Sequence, residues 1–119
     1  MKKIILIVDD SATARALFKM CFIGHSEYEL IEASDWEGAL EKAKLRKPFM
    51  IFLDYNMPDK SGSELARLMQ QAGINAYYVL ITANTQQSIL DEVKALGFLD
   101  IVEKPISAEQ IQSLLDKLT

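Results

Sequence analysis

Five short apolar runs alternate with five longer segments of helical spacing, and that alternation narrows the fold more than any other feature of the chain. The runs are residues 4–8, 28–33, 50–53, 77–81 and 101–102. The first, third and fourth are nearly continuous in Ile, Val, Leu, Phe and Tyr. That pattern predicts strands buried on both faces of a parallel sheet. The second, Tyr28-Glu29-Leu30-Ile31-Glu32-Ala33, is mixed, as a strand nearer an edge should be. Segments 12–23, 36–45, 63–71, 86–96 and 108–118 repeat apolar residues at i, i+3, i+4. The first of them puts Leu17, Phe18, Cys21 and Phe22 on one predicted inner face, and the last puts Ile111, Leu114, Leu115 and Leu118 there.

Ser11 and Ser107 are predicted helix N-caps, and Gln110 completes a capping-box pattern with Ser107. Gly24, Gly73 and Gly97 fall where helices should stop. Successive β–α units require crossovers, because tight turns cannot join parallel strands. The expected fold is α/β, a (βα)5 doubly wound five-stranded parallel sheet with helices on both faces. Residues 1–119 suit one domain, with no linker, repeat or low-complexity stretch. Such sheets place their sites beyond the carboxyl ends of the strands, at the topological switch point.

Composition excludes several classes. The net charge of −4 gives no electrostatic footprint for nucleic acid, whose binding needs a basic face. Lys42, Lys44, Arg46 and Lys47 form the one dense basic cluster and read as the solvated end of a helix. Cys21 is the single cysteine, so it admits no internal disulfide and reads as a reduced core thiol. His25 has no companion ligand for zinc and reads as a surface residue. Residues 4–8 are too short for a signal peptide, and Asp9-Asp10 ends them. No segment approaches the roughly 20 apolar residues that span a bilayer. A soluble, cytoplasmic protein with no membrane insertion is expected.

The strand ends carry the chemistry. The first strand runs into Asp9-Asp10, the third into Asp54, the fourth into Thr82 and the fifth into Lys104-Pro105. Three converging carboxylates raise one another's pKa values unless a cation relieves them. Mg²⁺ takes oxygen ligands, keeps waters and shares its sites with phosphate. Lys104 adds a further positive charge and Thr82 a hydroxyl donor. The set suits a phosphoryl group, whose transfer needs positioning and charge neutralisation. Asp54 ends the most apolar strand and is the natural nucleophile.

These residues resemble those of response-regulator receiver domains of the stand-alone CheY-like kind. Asp9-Asp10 resembles the family's acidic pair. Asp54-Tyr55-Asn56-Met57-Pro58-Asp59-Lys60-Ser61-Gly62 is similar to its phosphorylation loop. Leu80-Ile81-Thr82-Ala83 and Lys104-Pro105 are similar to its fourth- and fifth-strand endings. The resemblance runs through essentially the whole chain. It implies the flavodoxin-like strand order 2-1-3-4-5 and a cis bond before Pro105. It also implies phosphorylation of Asp54 and Mg²⁺ bound by Asp10, Asp54 and the backbone carbonyl of Asn56, with Asp9 acting through a metal-bound water. Lys104 would contact the phosphoryl oxygens, and Thr82 would move toward them. Implied partners are a histidine kinase or phosphotransfer protein, a downstream protein target and an auxiliary phosphatase. Output is expected through protein contacts, in a chemotaxis-like or relay role, because no further domain follows the last helix.

One position departs from the family pattern. Receivers usually carry Tyr or Phe three residues before the lysine, and here Ile101 stands there. The conformational change is therefore expected in Thr82, residues 83–87 and the fourth helix rather than in a ring flip. Leu99, Ile101 and Ile106 fit either an apolar partner surface or ordinary core. Two other functions compete. A Mg²⁺-dependent phosphohydrolase with an Asp nucleophile would need a second Asp where Asn56 stands, and a substrate-binding cap. A flavodoxin-like cofactor binder would need a phosphate-cradling loop where Asp9-Asp10 stand.

Overall fold

Strands and helices alternate without exception through residues 2–118, which the structure, a computed structural model, describes. Met1 and Thr119, the two ends of the expected domain, lie outside the described residues. In chain order the elements are β1 (Lys3–Val8), α1 (Ala12–Cys21), β2 (Tyr28–Ala33), α2 (Trp36–Arg46), β3 (Met50–Asp54), α3 (Gly62–Gln71), β4 (Tyr77–Thr82), α4 (Gln87–Ala95), β5 (Asp100–Glu103) and α5 (Ala108–Asp116). The sheet runs β2-β1-β3-β4-β5, with every neighbouring pair parallel, as the resemblance implied. The order reverses between β1 and β3, and this is the switch point. No described helix is long and apolar enough to cross a membrane.

Alternation along the strands divides the core in two. Ile5, Ile7, Met50, Phe52, Val79, Ile81 and Val102 face α1 and α5, where Phe18, Phe22, Ile111 and Leu114 meet them. Leu6, Val8, Ile51, Leu53 and Leu80 face α2, α3 and α4. All of β3 is buried, which accounts for its unbroken apolar run. Cys21 lies in the first core layer, and burial pushes its thiol pKa up.

Ser11 caps α1, and Ser107 forms the capping box with Gln110. Ser61 with Glu64 makes a second capping box, and Asp35 caps α2. Gly73 and Gly97 close α3 and α4 at positive φ, with the following amides Ile74 and Phe98 bonded back to Met69 and Val93. The Lys104–Pro105 bond is cis.

Several expectations shift. Leu17 is 40% exposed, because Phe18, Cys21 and Phe22 occupy the buried stripe of α1 and Leu17 falls on its flank. Tyr78 is buried, whereas Tyr77, one residue earlier on the opposite face, is half-exposed. His25 is half-buried, edge-on to the Phe22 ring and 3.6 Å from Glu27. Leu99 and Ile106 pack with the α1–α5 layer and Ile101 with the opposite one, so the three form no single surface.

Candidate functional site

Register brings the strand ends together. Val8 pairs with Leu53, Asp54 with Ile81, and Thr82 with Glu103. The residues immediately beyond therefore gather at one edge. Asp9, Asp10 and Asp54 each offer a carboxylate oxygen within 4.8 Å of the others. Lys104 Nζ lies 3.0 Å from Asp54 Oδ1 and 3.8 Å from Asp9 Oδ2. One ammonium faces three carboxylates, a formal excess of negative charge that a divalent cation would balance.

The three carboxylates differ in what holds them. Asp9 is buried; its Oδ1 accepts the Ser11 amide at 2.9 Å, and its own amide bonds to the Ala33 carbonyl. Asp10 is exposed and, among the described residues, its carboxylate has no hydrogen-bond or ion-pair partner. Asp54 is 3% exposed. Among the described residues its Oδ1 accepts no hydrogen bond by geometry, and Lys104 Nζ stands 3.0 Å from it as an ion pair. Burial raises the Asp54 pKa and the Asp9 charge adds to the rise, while Lys104 and the Asn56 amide oppose it. A desolvated carboxylate with an unsatisfied oxygen, beside two further carboxylates, is a donor set that fits a hard cation.

Asp54 is fixed by a loop that folds back onto it. The Gly62 amide bonds to the Tyr55 carbonyl, and the Tyr55 amide to the Ile81 carbonyl. A Cβ on Gly62 would sit 2.7 Å from the Asp54 carbonyl oxygen and 2.9 Å from Leu80 Cδ1. Only glycine permits that approach. Lys60 lies over the Trp36 ring at 4.9 Å and ties the loop to α2.

Thr82 is arranged differently. It is buried, and both hydrogen bonds of its Oγ1 go to Asn84, accepting from the amide at 3.0 Å and donating to the carbonyl at 3.1 Å. The Asn84 side chain accepts from the Gln86 amide, and no side chain caps α4. The Lys104 amide bonds to the Thr82 carbonyl at 2.9 Å, joining β4 to the lysine.

The structure thus gathers Asp9, Asp10, Asp54 and Lys104, and turns the Thr82 hydroxyl toward its own loop. The Asn56 side chain is exposed, while its amide supports Asp54. Sequence reasoning missed Arg15, whose Nη1 donates to the Asp9 carbonyl at 2.6 Å. The available signal was a cation early in α1 with no acidic residue in the first turn to attract it.

Residues 5–116 match the response regulator receiver domain family. The chain is 31% identical over 120 residues to the chemotaxis protein CheY of Thermotoga maritima, covering 100% of this chain and 99% of that one. It is 28% identical to the sporulation initiation phosphotransferase F of Bacillus subtilis, covering 98% and 94% of the two chains. The chemotaxis protein CheY4 of Vibrio cholerae superposes with a TM-score of 0.89 at 26% identity, covering 100% of both chains. Fold, strand order and sequence agree, and the chain belongs to the response regulator receiver domain family, in its CheY-like form.

Proposed function

We propose that this receiver accepts a phosphoryl group on Asp54 from the phosphohistidine of a histidine kinase or phosphotransfer protein, and signals through altered protein contacts. The observation that carries the reading is the meeting of three carboxylates within 4.8 Å of one another, with Lys104 Nζ 3.0 Å from Asp54, at the switch point of the sheet. An Asp54 carboxylate oxygen attacks phosphorus as the phosphorus–nitrogen bond breaks. The imidazole leaves with the electron pair and takes a proton from solvent, and an acyl phosphate remains on Asp54. Mg²⁺ would be held by the Asp10 and Asp54 carboxylates and the Asn56 carbonyl, with Asp9 acting through water. When bound, it would neutralise the carboxylates and the phosphoryl oxygens.

Lys104 opposes the effect of burial on the Asp54 carboxyl and then faces the new phosphoryl charge of about −1.5 to −2. To donate to that group, the Thr82 hydroxyl must give up its bonds to Asn84, so phosphorylation is coupled to the loop leading into α4. The relatives named as a chemotaxis protein and as a sporulation phosphotransferase are both consistent with a domain whose output is protein contact. A downstream target and an auxiliary phosphatase are the remaining partners of this reading.

Acetyl phosphate with Mg²⁺ tests it. Intact mass should rise by one phosphoryl unit in the native protein and not in Asp54→Asn. Undiminished labelling of the variant would place the acceptor elsewhere.

A further inference from the structure

Arg15 lies one turn into α1, close to the positive end of the helix dipole, where a cation is disfavoured. Its side chain is only 16% exposed, unusual for arginine. Both facts call for specific partners, and the structure supplies them. Nε donates to Glu32 Oε1 at 2.9 Å, and Nη1 donates to the Asp9 carbonyl at 2.6 Å. The Glu32 carboxylate also meets the half-exposed Lys19, and the Glu32 backbone carbonyl accepts from Lys42.

The Asp9 carbonyl belongs to the peptide that joins Asp9 to Asp10. Ser11 holds the Asp9 carboxylate and Ala33 holds the Asp9 amide. Arg15 is the side-chain donor to the carbonyl between the two acids. The Asp10 carboxylate has no partner among the described residues, so its direction follows from the orientation of this peptide. A guanidinium can reach a carboxylate and a carbonyl from one rigid plane, whereas a lysine ammonium is a single point on a flexible stem.

We infer that Arg15 is a positioning residue for the divalent-cation site, fixing the Asp9–Asp10 peptide so that Asp10 presents its carboxylate to the ion. This role rests on the metal-assisted reading above. Lys19 provides the internal control. It sits on the same helix, carries the same charge and pairs with the same Glu32, but among the described residues it makes no hydrogen bond or ion pair with Asp9. An electrostatic effect of the cluster would respond to both residues. A positioning effect responds to Arg15 alone.

The test is Mn²⁺ titration of the native protein, Arg15→Ala, Arg15→Lys and Lys19→Ala by electron paramagnetic resonance, together with amide spectra of the metal-free proteins. Arg15→Ala should weaken Mn²⁺ binding on the order of tenfold, as loss of a group that orients a metal ligand typically does. Arg15→Lys should recover little of this, and Lys19→Ala should match the native protein. In the metal-free spectra, Arg15→Ala should shift the Asp10 amide, whose peptide loses its donor. Native affinity in Arg15→Ala, or equal losses in Arg15→Ala and Lys19→Ala, overturns the positioning role while leaving the site itself intact. Failure of the native protein to bind Mn²⁺ overturns the metal-assisted reading, and this role with it.

Discussion

At the β1–β3 corner of the site, Asp9 and the loop after Asp54 are tied down. The Asp9 amide, carboxylate and carbonyl each have a partner, and the Gly62 amide draws the loop after Asp54 back onto the strand. At the β4 corner the ties are local. Among the described residues the Thr82 hydroxyl bonds only to Asn84, two residues away, and α4 begins without a side-chain cap. The first corner is held by bonds with Ser11, Arg15 and Ala33, which come from three different elements or loops. The second can exchange its hydrogen bonds more readily, since each spans only two residues and the Asn84–Gln86 bond is exposed. On the proposed function, the rigid corner would carry the chemistry and the loose one the response.

The largest effect should come from filling the tight approach at Gly62. Gly62→Ala puts a methyl against the Asp54 carbonyl and Leu80, and overpacking of this kind costs about 1–3 kcal/mol. At the loose corner Asn84→Ala removes one exposed contact, to the Gln86 amide, and should change stability by no more than about 0.5 kcal/mol. Urea unfolding of both variants measures the difference. Equal losses would erase the distinction between the corners.

Within the rigid corner the two acids should differ. Both Asp9 oxygens are engaged, one by the Ser11 amide and the other facing Lys104 at 3.8 Å, whereas the Asp10 carboxylate is free to take an ion. Asp10→Asn should therefore weaken Mg²⁺ or Mn²⁺ binding more than Asp9→Asn. Calorimetric titration ranks them, and a larger loss at Asp9 reverses the assignment.

A smaller effect concerns pH. Lys19, then Arg15, holds the Glu32 carboxyl below the usual glutamate range. The folded pKa lies below the unfolded one, so this contribution is complete above the unfolded pKa and disappears as pH falls through the folded one. Glu32→Gln should cost less than about 1 kcal/mol at neutral pH, because the pair is partly exposed and screened. The difference from native should vanish in acid, as thermal melts at both pH values would show. A cost that persists in acid would mean that Glu32 acts by packing rather than by charge.

How far these corners were legible in the sequence follows from what each depends on. Unbroken apolar runs identified the buried strands, and the residues beyond them gave Asp9, Asp10, Asp54 and Lys104, because parallel register carries strand ends to one edge. The Arg15–Glu32 brace was hidden, since its partners lie 17 positions apart and meet only once β2 pairs with β1. Leu17 was misplaced because helical spacing gives a stripe without its exact centre, and Phe18 and Phe22 set that centre by bulk. The direction of the Thr82 hydroxyl was also unreadable, as it depends on the turn geometry at Asn84.

The last expected effect, an unchanged pattern of response, decides where the response travels. Ile101 pairs with Leu80 and packs, half-buried, in the α2–α3–α4 layer, the layer that also receives Ile89 and Val93 of α4. A β-branched side chain is restricted at χ1 and has no ring to alternate between inward and outward positions. It should therefore take no part in the change that follows phosphorylation. A ligand shifts an equilibrium only through contacts that differ between its two states, so another element must change partners. On the proposed function Thr82 would do so as its hydroxyl left Asn84, and the Asn84–Gln86 bond and the uncapped start of α4 lie directly along that path. Ile101→Ala should lower stability by about 1 kcal/mol through lost packing. It should leave the BeF₃⁻-induced amide shifts of residues 83–87 and α4 unchanged in pattern. Amide mapping of both proteins, with and without BeF₃⁻, measures this. If those shifts collapse in Ile101→Ala, or if the native response centres on β5, the signal runs through Ile101 and the loose corner only follows it.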